Sequence, residues 1–158
     1  MYTGTTIPIE EINKLSTIIK VSEAASLALH TMVVLAKNPD KIFTTKDISI
    51  LLSASKDHLS KVLQRLEKAN FIISMRGPKG GFKLGKNKED FTLLQIYEVI
   101  EGPLLSNQCL LGNPICNGKG CILGGLNKVN IQVRDYLLET KLSDLTYICK
   151  TADSNDIK

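Results

Sequence analysis

Residues 58–84 read HLSKVLQRLEKANFIISMRGPKGGFKL, a helix pattern followed directly by a strand–turn–strand pattern. The apolar residues of the first half recur at positions i, i+3, i+4 and i+7, which is the spacing of one buried helix face. They are Leu59, Val62, Leu63 and Leu66. Asn70 is a suitable left-handed terminator for this helix, and the run FIISM after it predicts a strand. The turn RGPKGG and the return strand FKL then predict a β-hairpin with a basic tip.

Two further helix patterns precede this run. The first covers residues 20–37, is rich in Ala and Leu, and ends at Asn38-Pro39. The second opens at Thr44, whose spacing to Asp47 is that of a capping box. The order helix, helix, basic helix, two-stranded hairpin predicts a winged helix-turn-helix, in which the second helix of the pair enters the major groove of DNA.

Positive charge is concentrated in the same part of the chain. Residues 54–88 contain nine Lys or Arg and two acidic residues, so this segment carries +7 while the whole chain carries +4. A local excess of this size suggests a polyanionic partner such as DNA. From charge alone, a solvated surface face remains an equal alternative.

The candidate DNA-contacting residues follow from their positions in the basic helix and the turn. Groove-reading helices place base-contacting side chains near their N-terminus, and the outward-facing residues there are Ser55, Asp57, His58 and Lys61. The residues expected to meet phosphates are Lys56, Arg65 and Lys79. The turn itself, which glycines allow to approach a phosphate closely, consists of Arg76, Gly77, Pro78, Lys79, Gly80 and Gly81. The alternatives are a purely structural hairpin and, for His58, a surface residue without a base contact.

Two more helix patterns flank a cysteine-rich segment in the C-terminal half. Thr92 with Gln95 forms a capping box that opens one helix, and Gly102-Pro103 ends it. The later helix carries apolar residues at three–four spacing, which fits either packing against a partner helix or an ordinary core-facing helix. They are Leu126, Val129, Val133 and Tyr136. Ser143 is expected to cap a last short helix.

Three of the four cysteines, Cys109, Cys116 and Cys121, lie in the thirteen residues CLLGNPICNGKGC. Without an eighteen-residue apolar run or a signal-like N-terminus, we expect a cytoplasmic protein, in which clustered cysteines serve as ligands rather than disulfides. Thiolates on a Gly/Pro/Asn-rich loop suit an iron–sulfur cluster or another soft metal. Zinc is an alternative, although paired Cys-x-x-Cys knuckles are absent, and reactive thiols that sense oxidants are another.

No paired carboxylates with a histidine, G-x-S-x-G elbow or phosphate-binding loop are present in the sequence, so we do not expect an enzyme. A small iron–sulfur electron carrier would also use the cysteines. Such a carrier would not need a basic helix and hairpin, and it therefore remains the weaker alternative.

The chain resembles a bacterial regulator family in four stretches. They are residues 58–84, the run FTLLQIYEVIEGP at residues 91–103, the three-cysteine loop and the long helix after it. This family, the Rrf family, comprises the winged-helix transcription regulators of the IscR, NsrR and CymR type. The resemblance covers residues 20–145 and is to the branch that binds iron–sulfur clusters. The resemblance implies a homodimer whose long C-terminal helices cross between subunits and which binds a palindromic operator in double-stranded DNA. It also implies that Arg76 enters the minor groove.

The same resemblance implies cluster ligands at Cys109, Cys116 and Cys121, with 2Fe-2S favoured and 4Fe-4S possible. Six residues separate Cys109 from Cys116 and four separate Cys116 from Cys121. The family more usually has five and five, and this difference leaves the cluster type open. One branch has a histidine where this chain has Gly124. Another branch uses the first helix of the partner subunit, where His30 matches a ligand position and Glu23 is a weaker candidate. The alternative for His30 is an ordinary hydrogen-bonded histidine.

These patterns predict a mainly α-helical fold with a small β-hairpin, a winged helix-turn-helix domain and a long C-terminal dimerisation helix. The expected organisation is an N-terminal extension at residues 1–19, the DNA-binding domain at 20–102, the cysteine loop at 103–125, the dimerisation and C-terminal helices at 126–148, and a tail at 149–158. The function expected from this organisation is a DNA-binding regulator that senses redox, iron, iron–sulfur or nitric oxide status.

Overall fold

The computed structural model describes residues 21–85, 91–104 and 124–146, and in residues 124–127 it describes only the backbone. These ranges fold into six helices and one hairpin. In chain order they are α1 (Glu23–Lys37), α2 (Thr45–Leu51), α3 (Lys56–Lys68), β1 (Ile72–Met75), β2 (Gly81–Leu84), α4 (Leu93–Glu101), α5 (Gly124–Glu139) and α6 (Leu142–Leu145). The predicted fold class, mainly helical with a small antiparallel hairpin, is confirmed.

The helix starts follow local capping chemistry. Ser22 Oγ accepts a hydrogen bond from the Ala25 backbone N–H at 3.0 Å and so caps α1. The capping box predicted at Thr44 opens α2, and the one predicted at Thr92 opens α4. Since each box satisfies two backbone groups that a helix end leaves unpaired, these starts are set by nearby residues alone.

The end of α3 and the start of α6 depend on other local features. Asn70 follows α3 with φ +61°, the left-handed conformation that the sequence predicted for it. The prediction that Ser143 caps the last helix was wrong, because α6 begins two residues earlier than that cap implies and its N-cap is Lys141. The side chain of Asp144 accepts from the Lys141 backbone N–H at 3.0 Å, so the acidic residue inside the helix stabilises this start.

The hydrophobic core lies between α1, α3 and α4. The helix α1 buries most of its length, and the four predicted apolar residues of α3 are buried against it. Ile96 of α4 and Leu142 of α6 are fully buried in the same cluster. Because each buried Leu or Ile contributes about 1.5–3 kcal/mol, this shared core fixes the direction in which α3 presents its other face.

The hairpin packs beside this core. Ile72 pairs with Leu84 at its base, and Met75 pairs with Gly81 next to its tip. An isolated antiparallel bridge between Phe43 and Phe82 adds a short extended segment from between α1 and α2. The hairpin is thus joined to the helix pair by main-chain hydrogen bonds as well as by side-chain packing. No helix in the described ranges is long and apolar enough to cross a membrane.

Candidate nucleic-acid interface and metal ligands

The N-terminal turn of α3 exposes four of the predicted DNA-contacting residues. They are Ser55, Lys56, Asp57 and Lys61. The opposite side of the helix is anchored by Leu59, Leu63 and Leu66, all with 0% exposure. A helix buried along one stripe must present the other to solvent, so the basic face is set by the same residues that build the core.

His58 and Arg65 lie on the same side of α3 as Lys61. His58 and Arg65 are seven residues apart, and Lys61 follows the first by three residues and precedes the second by four. The His58 side chain is 34% exposed, and its Nδ1 lies 3.4 Å from Oε1 of Glu23, the first residue of α1. Although His58 sits in the first turn with the predicted groove readers, its ring is directed toward α1.

Arg65 is exposed, but its guanidinium is engaged within the chain. Its Nη1 donates to the backbone oxygen of Ile100 at 3.1 Å. Ile100 belongs to the last turn of α4, where carbonyl groups lack partners inside the helix and a positive charge is favourable. The predicted phosphate contact thus has a specific partner on α4 that its position in the sequence did not suggest.

The hairpin tip projects the remaining basic residues. Arg76, Pro78 and Lys79 are exposed, and Gly77 is exposed with its carbonyl accepting from the Gly80 N–H at 2.9 Å. This hydrogen bond closes the turn. Two positive side chains therefore stand at the end of a short, closed hairpin whose first strand contacts α3.

The structure gives a reason for glycine at positions 80 and 81 that the sequence did not reveal. A Cβ atom on Gly80 would lie 2.2 Å from the Met75 oxygen, and one on Gly81 would lie 2.5 Å from the Phe43 oxygen. Both distances are shorter than van der Waals contact allows. These two glycines are therefore needed for the approach of the protein's own backbone, whether or not they also approach a phosphate.

His30 is exposed on α1, and its ring has a defined hydrogen bond. Its Nδ1 lies 2.7 Å from the backbone oxygen of Ser26, and Ser26 Oγ is 3.4 Å away. Since a carbonyl oxygen only accepts, Nδ1 carries the proton, and in the neutral ring Nε2 is the nitrogen with a lone pair. Metal-binding histidines show the same arrangement, in which the second ring nitrogen donates to a carbonyl and fixes the tautomer.

The three cysteines predicted as ligands, Cys109, Cys116 and Cys121, lie outside the described residues. Within residues 21–85, 91–104 and 124–146, no three His, Cys, Asp or Glu side chains are close enough to hold a metal ion. Glu23, the weaker ligand candidate on α1, is the residue that faces His58. Of the predicted ligands that the structure describes, His30 has a tautomer suited to a metal ligand.

The helix α5 carries large apolar side chains on its surface. They are Val129, Ile131, Tyr136 and Leu138, with exposed fractions of 38%, 40%, 59% and 45%. Val129 and Tyr136 belong to the stripe predicted from the three–four spacing. Within the described chain these two residues do not face the core, which favours the interpretation of this stripe as a surface for a partner helix.

Comparison with known proteins places these features among bacterial regulators. A family model described as "Rrf2: Iron-dependent Transcriptional regulator" matches residues 21–147. The HTH-type transcriptional regulator NsrR of Bacillus licheniformis is 30% identical over 140 residues, which cover 80% of this chain and 91% of that protein.

Solved structures show the same architecture. CymR (YrzC), described as the global cysteine regulator of B. subtilis, superposes with a TM-score of 0.72 at 24% identity and covers 84% of this chain and 100% of its own. IscR of T. potens superposes with a TM-score of 0.66 at 23% identity, covering 83% of this chain and 88% of its own. At this identity the two likenesses establish a shared winged-helix fold.

Proposed function

Because the chain belongs to the Rrf2 family of transcriptional regulators, we propose that it binds a palindromic operator in double-stranded DNA as a homodimer. We further propose that an iron–sulfur cluster sets its operator affinity in response to redox, iron, iron–sulfur or nitric oxide status. The family makes the chain a regulator of transcription and not an enzyme. The observation that carries the proposal is the exposed basic face of α3, together with the exposed Arg76 and Lys79 of the hairpin tip.

In this proposal the N-terminal turn of α3 enters the major groove. Ser55, Asp57 and Lys61 contact the edges of bases, and Lys56 contacts a phosphate of the DNA backbone. His58 belongs to the same turn, and its contact with Glu23 holds that turn against α1. Contacts to phosphates displace counterions, so the affinity should fall steeply as the salt concentration rises.

The hairpin tip supplies the second set of DNA contacts. Arg76 enters the minor groove, and Lys79 meets a phosphate. The closed turn that runs through Gly77, Pro78 and Gly80 holds these two side chains at a fixed distance from α3. The tip end of β2 is held by the close approach of Gly81 to the Phe43 backbone, so the direction of the hairpin depends on the fold and not on DNA.

The exposed stripe of α5 is the proposed dimer surface. Val129 and Tyr136 are apolar or aromatic and exposed, and Val133 lies half-buried between them. Burial of such a stripe against the same helix of a second copy removes apolar area from water on both helices at once. Two copies related by a two-fold axis then present two copies of α3 to the two halves of a palindrome.

The proposed cluster ligands are Cys109, Cys116 and Cys121, with His30 as the fourth ligand. The tautomer of His30 supports this role, since its protonated Nδ1 leaves Nε2 as the metal-binding atom. When bound, the cluster supplies a centre whose charge and integrity change with oxidants, iron supply or nitric oxide. We favour 2Fe-2S, because a histidine ligand is typical of some clusters of this type.

The decisive experiment is an anaerobic preparation of the full chain with its visible absorption spectrum and its iron and sulfide content. Charge-transfer bands with iron and sulfide support the cluster. A colourless protein that contains one zinc per chain, or no metal, supports the zinc or thiol alternative instead. Cys109→Ser, Cys116→Ser and Cys121→Ser should each lose the bands, whereas Cys149→Ser is the matched control and should keep them.

The DNA-binding part is tested separately. An operator is first selected from a pool of random duplexes, and its affinity is then measured for cluster-loaded, oxidised and cluster-free protein. Different affinities support a cluster-controlled switch, while equal affinities contradict it. Failure to bind duplex DNA at moderate salt would instead favour an electron carrier.

A further inference from the structure

The hydrogen bond from Arg65 Nη1 to the Ile100 oxygen joins the recognition helix α3 directly to the last turn of α4. We propose that Arg65 is a positioning residue that couples α3 to the chain leaving α4 toward the cysteines, and that it is not a phosphate contact. This inference rests on the proposed function, because it names the path by which the state of residues 109–121 reaches the DNA-reading helix.

The end of α4 holds the outgoing chain by its own hydrogen bonds. The Gly102 N–H donates to the Glu98 backbone oxygen at 2.9 Å, and the Leu104 N–H donates to Glu98 Oε1 at 3.1 Å. Cys109 follows Leu104 by five residues. A change in the path of residues 102–104 therefore acts first on the turn of α4 that contains Glu98 and Ile100.

The same turn is also joined to α1. The Glu101 carboxylate accepts a hydrogen bond from Ser22 Oγ, the N-cap of α1. The next residue, Glu23, lies 3.4 Å from His58 of α3. Three polar interactions thus link α1 with α4, α1 with α3, and α3 with α4, so the start of α1 and the recognition helix either move with the end of α4 or break one of these interactions.

Arg65 is poorly placed for a phosphate because its guanidinium is engaged within the chain. Its terminal nitrogen donates to a carbonyl at a helix C-terminus, where the helix dipole favours a cation. Binding a phosphate through this nitrogen would leave the Ile100 oxygen without that donor.

The first test separates coupling from phosphate binding by two numbers for each variant. One is the slope of log affinity against log salt concentration, which changes by about 0.9 for each phosphate that the protein no longer neutralises. The other is the ratio of operator affinities of the cluster-loaded and cluster-free forms, which measures coupling. Both are measured for the unaltered chain, for Arg65→Gln and for Lys61→Gln, since each variant removes one positive charge from α3.

We expect Arg65→Gln to move the affinity ratio toward 1 while it leaves the slope close to that of the unaltered chain. Lys61→Gln should weaken both forms by a similar factor and keep the ratio. A fall in slope of about 0.9 per subunit in Arg65→Gln would show a phosphate contact and overturn the proposal. An unchanged ratio in Arg65→Gln would overturn it as well.

The second test does not depend on a cluster or on DNA. Amide hydrogen exchange of Gly102 and Leu104 is followed in the free protein, where the Arg65 bond should restrain the end of α4. In Arg65→Gln we expect these amides to exchange faster by about two- to tenfold, the range for removal of one hydrogen bond. Equal rates in Arg65→Gln and the unaltered chain would overturn the coupling even if the protein binds its operator, and faster exchange would support it even if the cluster proposal fails.

Discussion

Phe43 and Phe82 form an antiparallel bridge in which each backbone N–H donates to the other residue's oxygen, at 2.9 Å and 2.8 Å. Phe43 precedes α2, whereas Phe82 lies in β2, so the bridge fixes the hairpin against the helix pair. Gly81 is adjacent to Phe82, and its Cα faces the Phe43 backbone closely. The position of the hairpin tip therefore depends on a contact with the segment that precedes α2.

Gly81→Ala should reduce both stability and DNA affinity. Its Cβ would lie 2.5 Å from the Phe43 oxygen and 2.8 Å from Ile42 Cγ2, so the backbone must move. We expect the free energy of unfolding to fall by about 1–3 kcal/mol, the usual cost of overpacking, measured by urea denaturation. Lys79→Ala is the control, since it removes an exposed tip charge and should weaken DNA binding at unchanged stability. Equal stability of Gly81→Ala and the unaltered chain would contradict the prediction.

Thr31→Val should stabilise the protein. Thr31 is fully buried in α1, and its Oγ1 has no hydrogen-bond partner in the part of the chain that the structure describes. Valine has nearly the same shape without the buried hydroxyl, so we expect the free energy of unfolding to rise by about 1 kcal/mol. Thr31→Ala also removes the hydroxyl but leaves a cavity and should not stabilise. A lower melting temperature for Thr31→Val would mean that the hydroxyl is satisfied.

The helices and the hairpin could be predicted because their signals are local. The stripe of α3, the boxes at Thr44 and Thr92, and the left-handed Asn70 each depend on residues within one or two turns. The exposed N-terminal turn of α3 followed from the same stripe, since burial of one face exposes the other. The prediction for Ser143 was wrong because the helix starts two residues earlier, where the Asp144 side chain accepts a hydrogen bond from the Lys141 backbone N–H.

The contacts between distant elements could not be predicted in the same way. Phe43 is a single bridging residue, and a strand of one residue has no periodicity to detect. The direction of Arg65 depends on where α4 ends in space, 35 residues later in the chain. A basic residue on a basic helix was therefore assigned to DNA, because its spacing within α3 does not distinguish it from Lys61, four residues earlier on the same side.

Stability at acidic pH should depend on Asp47. Hydrogen bonding from the Thr44 backbone N–H lowers the pKa of this carboxyl below its ordinary value of 3.8, and partial burial opposes the shift. Because the folded-state pKa is the lower one, the stabilisation is present above about pH 4 and is lost as the pH falls through the folded-state pKa. The melting temperatures of the unaltered chain and Asp47→Asn, measured from pH 7 down to pH 2, should therefore converge. A constant difference across this range would contradict the assignment.

Tyr136→Lys should separate the two copies of the proposed homodimer without unfolding either. Tyr136 is the most exposed of the four large apolar residues on α5, so its own chain's core does not need it. A charge placed in a helix–helix seam must be desolvated and repels its two-fold related copy, and the dimer constant should weaken by tenfold or more, about 1.4 kcal/mol. Sedimentation velocity measures the assembly, and circular dichroism checks that the helices remain.

Ile131→Lys introduces the same charge on α5 at an exposed apolar position that lies two residues from Val129 and from Val133 and therefore on another side of the helix. Its sedimentation should match that of the unaltered chain. If both lysine variants dissociate equally, the effect comes from added charge and not from the stripe. If Tyr136→Lys remains dimeric, the two copies associate through another surface, and the half-site spacing of the operator must then be set by that surface instead of α5.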